Sequence, residues 1–353
     1  MTSEGKLPDS HQELHGELDR ELDGENACQT RFGFLAFMGL PNSGKSTLLN
    51  ACVGQKIAGV SAKPQTTRNR IVGLIQGDKT QIAILDTPGL QRSESQGANA
   101  SPSRLTRYMN QEAWGAANDA DVICYLIDST QGPTENDRSY LSDLILRYGQ
   151  KVQIIVSKVD KLRKEERSDV TAEIKNLLES VVDRLSLARP EDSERIAVPK
   201  VTQLSAKLKE DVERFIERVS NLMPVGPHHY DVSAATDRSP SFICAELIRE
   251  QVFRRLGQEI PYGTAVTVTE ITRRPTGVRY VAATVYVPKF AHKGIIIGSH
   301  GSKLKEIGAG ARPALESYFG DKVFLELFVK VQPGWTQNFA LIEELQGAPS
   351  ALV

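Results

Sequence analysis

Nine residues, Gly39 to Thr47, read Gly-Leu-Pro-Asn-Ser-Gly-Lys-Ser-Thr and constrain this chain more than any other stretch. They follow the apolar run Phe32 to Met38 and precede Leu48, Leu49 and Val53, so Gly39, Gly44, Lys45 and Ser46 fall between a strand and a helix. A polyphosphate needs a concave ring of backbone amides, and residues without a Cβ let the main chain come that close. Lys45 adds a point charge for the outer phosphates, and Ser46, in the first helical turn, offers a hydroxyl to Mg²⁺ where the helix N-terminus is already electropositive. A chance match to these four positions in a chain this long arises on the order of one time in a hundred, and the strand and helix around them lower that further.

Downstream, Arg70 to Gln76 and Thr80 to Leu85 read as strands joined at Gly77-Asp78, a hairpin signal. The second strand ends in Asp86-Thr87-Pro88-Gly89. An acid at a strand end can reach the water shell of Mg²⁺ while a glycine amide meets a terminal phosphate; taken alone, the same letters also make an ordinary Pro-Gly turn. A helix over Leu105 to Asn118 precedes Val122 to Ile127, a continuous apolar run expected to be buried on both faces, with Cys124 as core. Helix Thr134 to Tyr148 and strand Val152 to Val156 lead to Ser157-Lys158-Val159-Asp160. A carboxylate just past a strand can accept both hydrogens on the Watson–Crick edge of guanine, which adenine does not supply. A charged helix (Lys164 to Leu185), strand Lys200 to Leu204, Ser205-Ala206-Lys207 and helix Asp211 to Leu222 complete an alternating β/α order, which predicts a mostly parallel sheet with functional loops at its carboxyl edge.

Pro224, Pro227, His228, His229 and Pro240 mark a linker in which the two histidines, without acidic or cysteine neighbours at ligand spacing, are read as bystanders. Helix Ser241 to Leu256, strands Ala265 to Arg273 and Val278 to Val287, helix Ser302 to Phe319 and strand Val323 to Val331 form a second domain. Lys293-Gly-Ile-Ile-Ile-Gly298-Ser299-His300-Gly301 precedes the second of these helices. Gly298-x-x-Gly301 between two helical segments resembles the phosphodiester-clamping loop of a KH module, with Ile295, Ile296 and Ile297 as an apolar wall for the bases. Lys293, Lys303, Lys305 and Arg312 lie nearby, and the order helix-strand-strand-helix-helix-strand agrees. A basic helix with a glycine cap is the plainer alternative.

The fold class expected is therefore an α/β P-loop domain with helices on both faces of a mostly parallel sheet, followed by an α+β KH domain of type II. The boundaries read as an acidic tail at 1–30, the nucleotide domain at 31–223, a linker at 224–240 and the second domain at 241–353. The formal net charge of −1 hides an asymmetry: acids dominate from Met1 to Thr30, whereas Arg238 to Lys330 leans basic. The tail has the composition of a solvated segment, although Leu14, Leu18 and Leu22 recur at helical spacing; Ser93 to Ser103 is likewise read as a mobile loop. The four cysteines lie far apart and indicate neither a disulfide frame nor a zinc site, so no disulfide-linked partner is expected. With no bilayer-length apolar run and no leader-like N-terminus, the expected location is the cytoplasm.

The phosphate loop, Pro64-Gln-Thr-Thr-Arg68, Asp86-Thr-Pro-Gly89, Ser157-Lys-Val-Asp160, Ser205-Ala-Lys207, Pro261-Tyr262, His292-Lys-Gly-Ile-Ile-Ile-Gly298 and Val329-Lys-Val-x-x-x-Trp335 together resemble the Era GTPase family, from about Arg31 to about Leu345. The resemblance implies a GTP-hydrolysing assembly factor of the 30S-type ribosomal subunit, cycling between GTP and GDP with Mg²⁺. Its KH domain would bind small-subunit ribosomal RNA near the 3′ end, and DNA is not an expected partner. Peripheral attachment to the inner face of the cell membrane is a further expectation. Carried onto this chain, it implies that Gly44, Lys45 and Ser46 hold phosphate beside Gly39, Asn42, Ser43 and Thr47. Ser46, Thr67 and Asp86 would serve the metal, and Lys45, Thr67 and Gly89 catalysis. Ser157, Lys158, Asp160, Ser205, Ala206 and Lys207 would surround the base. Leu90 stands where many GTPases carry glutamine, and related enzymes use a monovalent cation held partly by an asparagine at the position of Asn42, which implies potassium-sensitive turnover. Lys293, Ile296, Gly298, Ser299, His300, Gly301, Lys303, Lys305 and Arg312 would meet RNA.

Three departures stand out. Ser157 replaces an asparagine and is expected to lose an amide contact to the base or the phosphate loop, at roughly 1 kcal/mol. Ser299 and His300 lack the basic residue common inside the clamp, and the segment after Leu90 is longer than usual. Two other classes compete: a nucleotide-switched scaffold at the membrane surface without RNA, and a P-loop kinase or ATPase without guanine selectivity.

Overall fold

The computed structural model describes residues 30–91, 103–192, 194, 196–257 and 259–346. The acidic tail with its leucine spacing, and nearly all of the Ser93 to Ser103 loop, lie outside them.

Strand β1 (Arg31–Met38) leads through the phosphate loop into helix α1 (Lys45–Val53), and a polar excursion then returns as β2 (Ile71–Gln76) and β3 (Thr80–Asp86). The chain continues as α2 (Arg104–Asp119), β4 (Val122–Asp128), α3 (Glu135–Tyr148), β5 (Val152–Ser157), α4 (Lys164–Ala188), β6 (Lys200–Leu204) and α5 (Lys209–Ser220). These strands form one sheet in the order β2-β3-β1-β4-β5-β6. Every pairing is parallel except β2 with β3, the hairpin read at Gly77-Asp78.

Period-two alternation explains the three layers. Leu35 and Phe37 of β1 and Cys124 and Leu126 of β4 point to one face, where they meet Leu48 and Leu49 of α1 and Phe215 of α5. Ala36, Met38, Ile123, Tyr125 and Ile127 point to the other, against α2, α3 and α4. All seven residues of β4 are buried, as expected for a strand covered on both sides. Local chemistry starts the helices: Ser103 accepts from the Thr106 amide at the head of α2, and Thr134 and Asp137 form a reciprocal capping box on α3.

The second sheet has the order β7-β8-β9, built from Ala265–Arg273, Arg279–Val287 and Val323–Val331. β7 and β8 are antiparallel and β8 and β9 parallel. Helix α6 (Pro240–Arg255), capped by Ser239, and α8 (Ser302–Phe319) cover one face, while the short α7 (Phe290–Ile297) and the glycine loop join β8 to α8. One element was not read from the sequence. A helix α9 (Phe339–Gln346) packs Ile342 and Leu345 with Trp335 against Leu105, Tyr108 and Met109 of α2, tying the chain's last described helix to the first domain.

Residues 224–236 lie along the first sheet: Val225 bridges to Arg31, Thr236 bridges to Gly73, and Pro224 and Ala235 accept backbone bonds from Phe32 and Leu74. His229 donates its amide to Gln81 and packs its ring, tilted, 4.3 Å from that of Phe32, a packing role.

Candidate functional site

The loops at the carboxyl ends of β1, β3, β5 and β6 enclose a cavity of about 550 Å³ lined by Asn42, Gly44, Lys45, Ser46, Thr47, Thr67, Gly89, Lys158, Asp160, Ala206 and Lys207, among others. Its floor follows from the glycine spacing. Gly39 has φ +137°, and a Cβ there would stand 2.5 Å from the Leu126 carbonyl oxygen, so the tight start of the loop tolerates no side chain. Gly44 and Asn42 also take positive φ, which turns the loop amides inward ahead of α1.

Lys45, at 6% exposure, donates its Nζ to the carbonyls of Gly39 (3.0 Å) and Leu40 (2.8 Å) and to Ser43 Oγ (3.3 Å). Burial lowers its pKa to about 8, against the opposing pull of Asp86. Burial raises the Asp86 carboxyl to about 6, with the Ser46 hydrogen bond and Lys45 opposing. Three oxygens converge here: Ser46 Oγ lies 2.8 Å from Thr67 Oγ1 and 2.6 Å from Asp86 Oδ2. Asp86 Oδ1 is buried without a hydrogen-bond partner. Two hydroxyls and a carboxylate with a spare lone pair make a hard-oxygen donor set of the kind Mg²⁺ selects, so these residues fit that ion. Gly89 packs against Pro41 of the phosphate loop, and the Leu90 amide donates to the Gly39 carbonyl, so the Asp-x-x-Gly turn abuts the loop directly.

The opposite wall is held as a unit. Asp160 accepts from Ser205 Oγ at 2.7 Å and pairs with Lys207 at 3.3 Å. Partial burial pushes its carboxyl upward, but those hydrogen bonds outweigh it and hold it below the ordinary carboxylate value. Lys158, at φ +59°, bridges the Asn42 carbonyl (2.5 Å) and Asp128 Oδ2 (2.6 Å). Ser157 overturns part of the expectation set for it: its Oγ donates to the Ser43 carbonyl at 2.6 Å, so contact with the phosphate loop survives the shorter side chain. The sequence reading missed Asp128, which only the register of β4 against β5 brings beside Lys158.

The polar excursion between α1 and β2 joins this cavity to the second domain. Asn42 Nδ2 donates to the Ala62 carbonyl at 2.9 Å, and Gln65 reaches Gln91 across the cavity rim at 2.9 Å. Arg68, next to Thr67, is fully buried; its guanidinium donates to the carbonyls of Thr264 (2.6 Å), Pro261 (3.1 Å) and Tyr262 (2.9 Å), between the rings of Phe253 and Trp335. Burial drops its pKa to about 9, with Arg249 adding to the effect. Sequence quoted Arg68 within a motif but gave it no role, since its partners lie nearly two hundred residues away. Lys56 and Arg254 flank the fully buried Glu250, and Arg254 also donates to the Val60 carbonyl.

In the second domain, Ser299 and His300 stand exposed between Gly298 (φ +71°) and Gly301 (φ +77°). A Cβ at Gly298 would lie 2.8 Å from Lys303 Cβ, so the loop closes tightly on the start of α8. Lys305 is exposed and Lys303 pairs with Glu306 at 2.8 Å. Arg312 is exposed, but eleven residues beyond Gly301 on α8 it stands roughly 15 Å from the loop. Ile296 corrects the expectation of an RNA contact. Its side chain has zero exposure in the core, because one helical face of α7 must pack on the sheet, and Ile295 takes the outward place.

The family model described as 50S ribosome-binding GTPase matches residues 34–158, and the KH domain model matches 259–336. GTPase Era of Coxiella burnetii is 39% identical over 316 residues, covering 90% of this chain and 98% of that protein. The chain belongs to the Era GTPase family. GTPase Era of Thermotoga maritima is 37% identical, over 89% of this chain and 96% of its own. Among solved structures, Era in complex with MgGDPNP and nucleotides 1506–1542 of 16S ribosomal RNA is similar with a TM-score of 0.74 at 28% identity, covering 90% of this chain and 99% of that one. An Aquifex aeolicus Era variant bound to GDP and aluminium fluoride is similar with a TM-score of 0.73 at 29% identity, with the same coverage. As an Era-family member the protein is a GTPase, with a P-loop domain followed by a KH domain.

Proposed function

We propose that this Era-family GTPase binds small-subunit ribosomal RNA near its 3′ end through the Gly298–Gly301 loop, and that the nucleotide in the P-loop cavity governs the binding. The observation that carries this reading is the placement of Thr67 and Arg68: one faces Ser46 in the cavity and the next is buried in the domain that bears the glycine loop. The Era relative solved with MgGDPNP and a 16S fragment supports the choice of RNA and of Mg²⁺.

In this reading Lys45 and the loop amides orient the phosphates, and Asp160, pre-aligned by Ser205 and Lys207, selects guanine. Ser46, Thr67 and Asp86 would hold Mg²⁺, which when bound neutralises charge on the phosphate oxygens. Leu90, buried at 1% exposure, supplies no group to orient water, so charge stabilisation has to come from elsewhere. We assign part of it to a monovalent cation held beside Asn42, where the phosphate loop and the excursion meet. Hydrolysis several-fold faster in potassium than in sodium chloride, and insensitive to that exchange in Asn42→Ala, is the expected result; equal rates in both salts would remove the cation.

The central test is RNA affinity of the full chain with a non-hydrolysable GTP analogue. Replacing Gly301 by Asp places a negative charge in the clamp; the new Cβ meets no neighbour and the backbone strain at φ +77° stays local to the loop, so GTP hydrolysis should persist while binding of a 16S 3′-end oligonucleotide falls by at least tenfold. Unchanged RNA affinity would sink the clamp assignment, and cross-linking that recovers no RNA would favour the membrane-surface scaffold instead.

A further inference from the structure

Helix α7 exposes Phe290, Ala291, Gly294 and Ile295, while Ile296 turns to the core. Spaced i, i+1, i+4 and i+5, these four share one helical face, uncharged and apolar, that runs directly into Gly298. Phe290 heads the stripe at 80% exposure, against 50% for Ile295. It sits eight residues before Gly298, about 12 Å along the axis. Lys289, exposed, precedes it.

A charge-free face continuous with a phosphodiester clamp suits the bases of the strand that the clamp holds, because bases present flat apolar surfaces and phosphates do not. A KH glycine loop clamps about four nucleotides, and an aromatic ring some 12 Å from Gly298 along the adjoining helix stands within reach of the strand as it runs on from that loop. An unpaired base there has no partner to stack on except a side chain, and a phenyl ring accepts any base. We propose that Phe290 is a base-stacking platform that lengthens the RNA-binding site by one nucleotide beyond the glycine loop. The assignment rests on the RNA-binding reading above.

The test titrates full-length protein, bound to the GTP analogue, with labelled single-stranded RNA of four nucleotides and of the same sequence extended by one to three nucleotides at either end. Extension at one end should raise wild-type affinity by about tenfold, the worth of one stacked base. Phe290→Ala should lose that gain yet bind the four-nucleotide RNA as wild type does. Phe290→Tyr should keep it. Because no phosphate contact is removed, the salt dependence of Phe290→Ala should match wild type, whereas Lys305→Ala should flatten it. The side chain is nearly free of contacts, so folding is not at issue, and GTP hydrolysis serves as the check. Equal affinity of wild type and Phe290→Ala at every length, as expected if the stripe receives a protein instead, would overturn the platform while leaving the clamp intact. Failure of wild type to bind any of these RNAs would remove both.

Discussion

Two buried ionisable groups at the phosphate cavity sit away from their ordinary pKa values, and in opposite directions. Burial takes Lys45 down to about 8 and Asp86 up to about 6, each pulled toward its neutral form by the loss of water. A triphosphate placed against Lys45 favours the charged amine, so its pKa rises on binding and the complex takes up a proton above pH 8. GTP affinity should therefore decline as pH rises past about 8, and decline again below about 6, where Asp86 must lose its proton to serve a cation. Calorimetry at pH 8.5 in two buffers of different ionisation heat measures the uptake directly; none would contradict the assignment of Lys45 to the phosphates. Asp160 lies on the other wall with a carboxylate that Ser205 and Lys207 keep ionised. Asp160→Asn presents an amide N–H donor where guanine also offers hydrogens, costing roughly 3 kcal/mol, or about 100-fold in GTP affinity. Xanthosine triphosphate, with an oxygen at that edge, should compete better against the variant than GTP does, and an unchanged order of preference in a competition assay would remove the base-reading role.

At the scale of elements, period and punctuation made most of the chain legible. β1 and β4 announced themselves by continuous apolar runs, and the glycine loop by a spacing that needs no partner to be recognised. Helix α9 did not. Eight residues give about two turns, and an apolar face that short is indistinguishable from a loop until Trp335, Leu105 and Met109 supply the surface it covers. Ile296 was misjudged for the same reason: three consecutive isoleucines on a helix point three ways, and which one faces water depends on where the sheet lies. The packing of α9 can be measured. Ile342, with zero exposure, should cost about 2–4 kcal/mol when replaced by alanine, seen as a lower urea midpoint. A midpoint within error of wild type would mean that the helix adds little to holding α2 against the second domain.

The contact between domains belongs to the whole molecule, and local sequence could not disclose it, since Arg68 meets carbonyls at 261, 262 and 264 and Asn69 meets that of Gln346. A guanidinium fits this place for a physical reason: its planar fork satisfies three carbonyls at once between two aromatic rings, which the single ammonium of lysine does not. Thr67, one residue earlier, shares a 2.8 Å hydrogen bond with Ser46, so a ligand that draws Thr67 inward acts on backbone that Arg68 anchors in the other domain. Differential binding energy at Thr67 is then the quantity passed between sites, and such coupling commonly amounts to about 1–3 kcal/mol. Wild-type protein should bind the 16S 3′-end oligonucleotide with affinities that differ at least fivefold between the GTP-analogue and GDP states. Arg68→Ala removes the anchor and leaves three carbonyls without their donor, so unfolding should cost roughly 3 kcal/mol less, and the two RNA affinities should converge to within about twofold. Arg68→Lys should lie nearer to alanine than to wild type. If the alanine variant is destabilised yet still distinguishes the two nucleotide states as wild type does, Arg68 is a structural bolt only, and the path between the sites runs instead through Lys56, Glu250 and Arg254.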